Sequence, residues 1–342
     1  MAKPTEKKTM GVSAPDAAWL AQVTEPALEP ELPIVDPHHH LWFRPGDKYL
    51  VPELSEDLAS GHNVVATVFA ECGSMYRPDG PPELRSLGET EFVAGCAAMG
   101  ASGAFGSTKI CQGMFGRVDL ALGDAVGPIF EQHIDRSGGR FRGVRYTTAW
   151  DPSDKVASPA AGPELLLDGA VQRAAAVMSS LQLTLDCWVY HHQLPEVVQL
   201  AEALPDLHIV VEHTGVPILG GPYRDRQNEV HDVWLAGIHR LAGCNNVFLK
   251  LGAFPIRRSG DGVDRSLPPT SEEVAAAWGP WMTEAIAALG PARCMFESNF
   301  PVQKLWSSYL VTWNAFKRLA ADFNEHDKRE LFHDAACRAY RL

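Results

Sequence analysis

The chain has 342 residues, of which 46% are hydrophobic and 21% charged, with a formal net charge of −12. That length supports one large or two ordinary domains, and the composition excludes an intrinsically disordered chain. The acidic balance argues against nucleic-acid or anionic-membrane binding, and no apolar run approaches the ~20 residues of a bilayer span.

Residues 1–30 are rich in Pro, Ala, Lys and Glu without periodicity and read as a mobile or surface-hugging arm. They carry charges but no apolar signal-peptide stretch. The seven cysteines include no CxxC pair, so neither a disulfide framework nor a structural zinc site is expected, and the expected location is a reducing cytoplasm.

From residue 31 to 342 short β-branched runs alternate with Ala- and Leu-rich stretches. The predicted strands are Ile34–Asp36, Asn63–Ala70, Phe92–Ala97, Gly143–Tyr146, Leu183–Tyr190, His208–His213, Val247–Leu251 and Cys294–Glu297. Helical segments such as Leu194–Ala203 and Val274–Leu289 separate most of them. Eight alternating strands and helices predict an α/β fold, a single-domain (β/α)8 TIM barrel. The competing open doubly wound sheet would carry a glycine-rich loop after its first strand, where His38-His39-His40 stands. Gly220–Gln227 and Phe254–Pro269 read as long loops on the barrel face where active sites are built.

His38 and His40 share one side of the first strand by alternation, at the barrel mouth. Two imidazoles there can ligate a divalent metal or hold an anionic substrate. His213, ending strand six, offers a ligand, a general base or a donor to an oxyanion. Arg145 suits a substrate carboxylate, which its planar fork can grip with two charge-assisted bonds. Asp186, Trp188, Tyr190 and His192 share a parity that faces the lumen. Glu71 and Lys250 either charge the same pocket or pair with each other, since an unpaired buried charge is costly. Trp313, Phe316 and Leu319 recur at helical spacing and read as core packing.

These motifs, in this order, resemble those of the amidohydrolase superfamily, in the amidohydrolase-related branch that includes 2-pyrone-4,6-dicarboxylate lactonase and sugar lactonases. The resemblance runs from Ile34 to the C-terminus. It rests on the His38/His40 pair, Gly143-Val144-Arg145, His213 in Glu-His-Thr-Gly-Val-Pro, Asn246–Lys250, and Phe296-Glu-Ser-Asn-Phe-Pro301. In that family the last motif usually reads Phe-Gly-Ser-Asp-x-Pro, and its aspartate is a metal ligand or the base that activates water. Here Asn299 stands in its place and Glu297 in the place of the glycine. An amide cannot take a proton near neutral pH, so either Glu297 is a relocated base or the reaction needs none there.

The resemblance implies a hydrolase that opens a lactone or related cyclic ester of a small carboxylated acid. Its expected catalytic residues are His38, His40, His213, Glu297 and Asn299, with Glu71, Arg145, Asp186, Tyr190 and Lys250 toward the substrate. One divalent ion, zinc or manganese, would sit on His38, His40 and His213, with a metal-independent route as the alternative. Metal-dependent decarboxylation or hydration of an aromatic or unsaturated acid is a second reading, and a non-catalytic ligand-binding barrel a third. The expected partner is a small carboxylated molecule, with neither nucleic acid nor membrane involved, and self-association is left open.

Overall fold

A computed structural model describes residues 16–253 and 266–342. Eight parallel strands follow one another around a barrel in chain order. They are β1 Pro33–His39, β2 Asn63–Ala70, β3 Lys109–Gly116, β4 Phe141–Thr147, β5 Thr184–Trp188, β6 Ile209–Val211, β7 Val247–Leu251 and β8 Cys294–Phe296. No ladder joins β8 to β1. The loop after β8 closes the ring instead: Asn299 N donates to the His38 carbonyl at 2.9 Å, and His40 N to the Phe300 carbonyl at 2.7 Å. The protein is a (β/α)8 barrel.

One predicted strand is wrong. Phe92–Ala97 lies inside the helix Leu87–Ala101, and the third strand is Lys109–Gly116. The Phe-Val-Ala-Gly-Cys-Ala run has strand-like residues, but Glu-rich and Ala-rich flanks extend it into a full helix. The true strand carries two glycines and a glutamine, so its period-2 signal is weak. Packing explains one glycine: a Cβ on Gly113 would meet Leu342 Cδ2 at 2.8 Å.

Of the arm, residues 1–15 lie outside the described residues. The rest hugs the helix Tyr309–Leu319. Lys317 Nζ donates to the carbonyls of Leu28 and Glu29 (2.8 and 2.9 Å), and Asn314 bonds Leu28 N, Glu25 and Pro26. On the inner face of that helix Trp313 and Phe316 are fully buried, as their spacing implies. Of the loop predicted over Phe254–Pro269, residues 254–265 also lie outside the described residues. No described helix is long and apolar enough to cross a membrane.

Burial leaves a titration signature. It pushes His39, His62, His133 and His191 down to about 4 and His40 to about 3, while raising Asp36 and Asp186 to about 6 and Glu89 to about 8. Between pH 6.5 and 4 the unfolded chain protonates imidazoles that the folded chain keeps neutral, so acidification favours unfolding. The three raised carboxyls act oppositely, because folded they hold protons the unfolded chain has lost. Burial also lowers His38 and His208 and raises Asp57, Glu71 and Glu196, so seven imidazoles stand against six carboxyls among the described residues. The carboxyls held low at Glu25, Glu53, Glu212, Glu229 and Asp334 add to the imidazoles' side. The melting temperature should fall from pH 6.5 to 4.5; a rise over that interval would contradict the burial of these rings.

Candidate functional site

A cavity of about 410 Å³ opens at the C-terminal ends of the strands, lined by His40, Trp42, Arg44, Cys72, Arg145, Trp188, His213, Val216, Ala253, Asn299 and Val302. A larger cleft of about 570 Å³, beside the start of β3, contains none of the candidate residues. Position at the barrel mouth and convergent polar groups favour the smaller cavity.

Local bonding stitches the first and last strands together beneath this cavity. Asp36 Oδ1 accepts from His38 N (3.3 Å) and Ser298 N (3.1 Å), and Tyr309 donates to Oδ2 at 3.0 Å. This fixes the histidine pair against Asn299, whose left-handed φ of 52° suits asparagine. His40 Nδ1 faces the Ala70 carbonyl at 2.9 Å. A carbonyl only accepts, so the proton sits on Nδ1 and Nε2 presents its lone pair. That lone pair lies 3.1 Å from Asn299 Oδ1 and 3.3 Å from His38 Nε2.

Lys250 donates to His38 Nδ1, so the proton of neutral His38 sits on Nε2 and points at the His40 lone pair, where a metal ion would take its place. Two imidazole nitrogens bound to one tetrahedral zinc stand about 3.4 Å apart, given Zn–N bonds of 2.0–2.1 Å. The His38/His40/Asn299 set therefore fits a divalent ion. A second group, His38, His213 and Glu297, brings its ligating atoms within 4.8 Å of one another. Those atoms are already engaged: His213 Nδ1 bonds Glu297 Oε1 at 2.8 Å, and Lys250 Nζ sits 3.2 Å from His38 Nδ1. This second group reads as the support that orients the two imidazoles, with Glu297 behind His213 and Lys250 behind His38.

His213 is held with unusual firmness. Glu297 Oε1 accepts both its backbone N–H (3.0 Å) and its Nδ1–H (2.8 Å). Its φ is 54°, followed by 56° at Thr214, 69° at Gly215 and 30° at Val216. Non-glycine residues in this region cost about 1–3 kcal/mol each and concentrate at functional sites. The turn swings the imidazole edge into the cavity while Glu297 stays fully buried. Gly252 makes room for that carboxylate, because a Cβ there would meet Glu297 Cγ at 2.5 Å.

Below the cavity lies an ionic cluster. Arg145 Nε donates to Glu212 at 2.8 Å and Nη1 to the Glu71 carbonyl at 3.2 Å. Lys250 Nζ, fully buried, donates to Asp186 at 2.7 Å and stands 3.8 Å from Glu212. Burial alone would raise the Glu212 carboxyl, but Arg145, then His213 and Lys250, hold it below its ordinary value. Burial, then Lys250, holds His38 well below the usual imidazole value, so it stays neutral. Two cations face four carboxylates (Glu71, Asp186, Glu212, Glu297), and that surplus of negative charge also suits a bound cation.

The structure places the expected residues as follows. His40, Arg145, His213 and Asn299 line the cavity; His38 and Glu297 lie directly behind it. Lys250 is not paired with Glu71. Asp186 is its carboxylate, and Glu71 lies 3.8 Å from Arg145. Tyr190 lies away from the cavity, its hydroxyl donating to the Ala157 carbonyl, and His192 turns to the Trp150 carbonyl at 3.0 Å. Strand β5 ends at Trp188, so alternation no longer governs those two positions. Sequence reasoning passed over Glu212, Arg44 and Tyr340. Alternation sends Glu212 away from His213, and only the left-handed turn that starts at His213 lets both face inward.

Comparison with known proteins agrees with the barrel fold. An uncharacterised protein, y4mH of Sinorhizobium fredii, is 29% identical over 334 residues, covering 91% of this chain and 99% of that protein. An amidohydrolase structure from Burkholderia multivorans with bound zinc superposes with a TM-score of 0.67 at 21% identity, over 90% of this chain and 99% of that one. A Pseudomonas putida structure, provisionally described as a 2-pyrone-4,6-dicarboxylic acid hydrolase, gives 0.59 at 15% identity, over 91% and 98%. At such identities these structures speak for the fold. The Amidohydro_2 family model, described as amidohydrolase, matches residues 35–342, and the chain therefore belongs to the amidohydrolase family.

Proposed function

We propose that the protein hydrolyses a lactone or related cyclic ester of a small carboxylated acid. The observation that carries this reading is His213, whose Nδ1 is bonded to a buried carboxylate while its other edge shares a cavity with Arg145. A carboxylate–imidazole pair of this kind takes a proton from water and later returns it to the leaving group.

The residues act in order. Arg145 keeps one terminal nitrogen without a hydrogen bond among the described residues, and with Arg44 it receives the substrate carboxylate. The rings of Trp42 and Trp188, each carrying a guanidinium at 4.1 and 5.0 Å, flank a flat substrate. His213 Nε2 removes a proton as water attacks the ester carbonyl, and Glu297 stabilises the imidazolium. Ring opening then releases an oxyanion that takes the proton back from His213. A zinc or manganese ion held by His38, His40 and Asn299 would polarise the carbonyl and acidify water.

The test is a panel of carboxylated lactones and aromatic acids, followed by acid release and by carbon dioxide release. Acid release without carbon dioxide supports the proposal, and carbon dioxide release replaces it with a decarboxylase. For a substrate that turns over, Arg44→Gln should raise KM about tenfold with kcat nearly unchanged, because it binds ground and transition states alike. An unchanged KM would remove Arg44 from substrate binding. Asn299→Asp places a charge 3.1 Å from His40 Nε2, so it should tighten zinc binding, read by chelator competition; unaltered or weaker binding would exclude position 299 from the ligand set.

A further inference from the structure

The last helix of the chain, Ala335–Tyr340, is threaded into the wrong end of the barrel to be a bystander. Its alanines pack against Val35, Ala66, Val210 and Met295 inside the lumen, and Thr184, the first residue of β5, donates to the Ala339 carbonyl at 2.8 Å. The helix therefore fills the barrel from the N-terminal ends of its strands, opposite the cavity. Tyr340, fully buried, points up the axis and stacks on Phe115 at 5.7 Å.

Its hydroxyl donates to Asp186 Oδ2 at 2.6 Å. The same oxygen accepts from Lys250 Nζ at 2.7 Å, and Lys250 reaches His38 Nδ1 at 3.2 Å. His38 meets His40 at 3.3 Å, on the cavity wall. Lys250 Nζ also lies 4.2 Å above the Phe115 ring and 5.1 Å above that of Tyr340. An ammonium in so dry a place keeps one position only if its partners are fixed. Asp186 Oδ1 has no hydrogen-bond partner among the described residues, so both bonds that hold this carboxylate there fall on Oδ2.

We propose that Tyr340 is a positioning residue of the active centre: by holding Asp186 it fixes Lys250, and through Lys250 the orientation of His38. The C-terminal helix is thus a working part of a site formed at the opposite end of the barrel. This rests on the hydrolytic reading only in so far as activity is measured.

The test uses Tyr340→Phe, which keeps the ring and its stacking but removes the hydroxyl, with Asp186→Asn as a second break in the same chain. In protein carrying ¹⁵N-labelled histidine, the His38 ring resonances, assigned with His38→Gln, should move in both variants. Those of His133, bonded to Thr90 away from the barrel lumen, should not. With any substrate the wild type turns over, kcat of Tyr340→Phe should fall about tenfold, the worth of one buried hydrogen bond, with KM within twofold. Moved His38 resonances with no substrate found would support the positioning role and count against the lactone reading alone. Unmoved His38 resonances in a folded Tyr340→Phe protein would overturn the proposal, as would loss of KM alone.

Discussion

Glu297→Gln should lower kcat by about 10²–10⁴-fold, the range general-base catalysis contributes, while the protein stays folded. Glutamine still offers an oxygen to the His213 backbone N–H, but it carries no charge to stabilise the imidazolium formed when His213 takes a proton. The loss should appear in kcat and kcat/KM together, because the lost interaction is made chiefly in the transition state. Steady-state kinetics on a turned-over lactone, with circular dichroism as the control, makes the measurement. A fully active Glu297→Gln would move base duty away from His213 altogether.

The second large effect is on stability. Lys250→Met removes a fully buried ammonium and leaves Asp186 with Tyr340 as its sole remaining hydrogen-bond donor among the described residues. Breaking a buried pair by deleting one partner costs about 3–5 kcal/mol, because the other charge stays desolvated. Urea unfolding at pH 7.5 should show that loss. Lys250→Met with Asp186→Asn should recover part of it, since the stranded charge is gone. The single variant should also gain stability relative to wild type as pH falls. A stranded Asp186 has its folded-state carboxyl raised further, so protonation favours the folded form. Equal stability of wild type and Lys250→Met would show that the barrel interior does not depend on this charge.

Much of the fold was legible in the sequence because seven of eight strands coincide with short apolar or β-branched runs set between helical stretches. The third was not, since the two glycines and the glutamine of Lys109–Gly116 leave it with little period-2 signal, while the Phe92–Ala97 run inside a helix carries more. The histidine pair, His213, Arg145 and the Glu297/Asn299 departure could be read from spacing and resemblance. Glu212 could not, because the inward side of β6 was given to His213; extended Glu212 takes that side by alternation, and the left-handed turn beginning at His213 brings the imidazole round to join it. Tyr340 belongs to the same class. Nothing local in Arg-Ala-Tyr-Arg-Leu signals that its hydroxyl meets Asp186, 154 positions earlier in the chain. Tyr190 failed for the opposite reason, a strand pattern continued two residues past the real strand end.

The central claim is that His213, oriented by Glu297, delivers water to an ester carbonyl. The most direct measurement is turnover of a carboxylated lactone in H₂¹⁸O by wild type and by His213→Asn, with the product weighed by mass spectrometry. The account predicts one solvent oxygen in the newly formed carboxylate, at a rate that collapses in His213→Asn. A product without solvent oxygen, or an undiminished rate in His213→Asn, would contradict it.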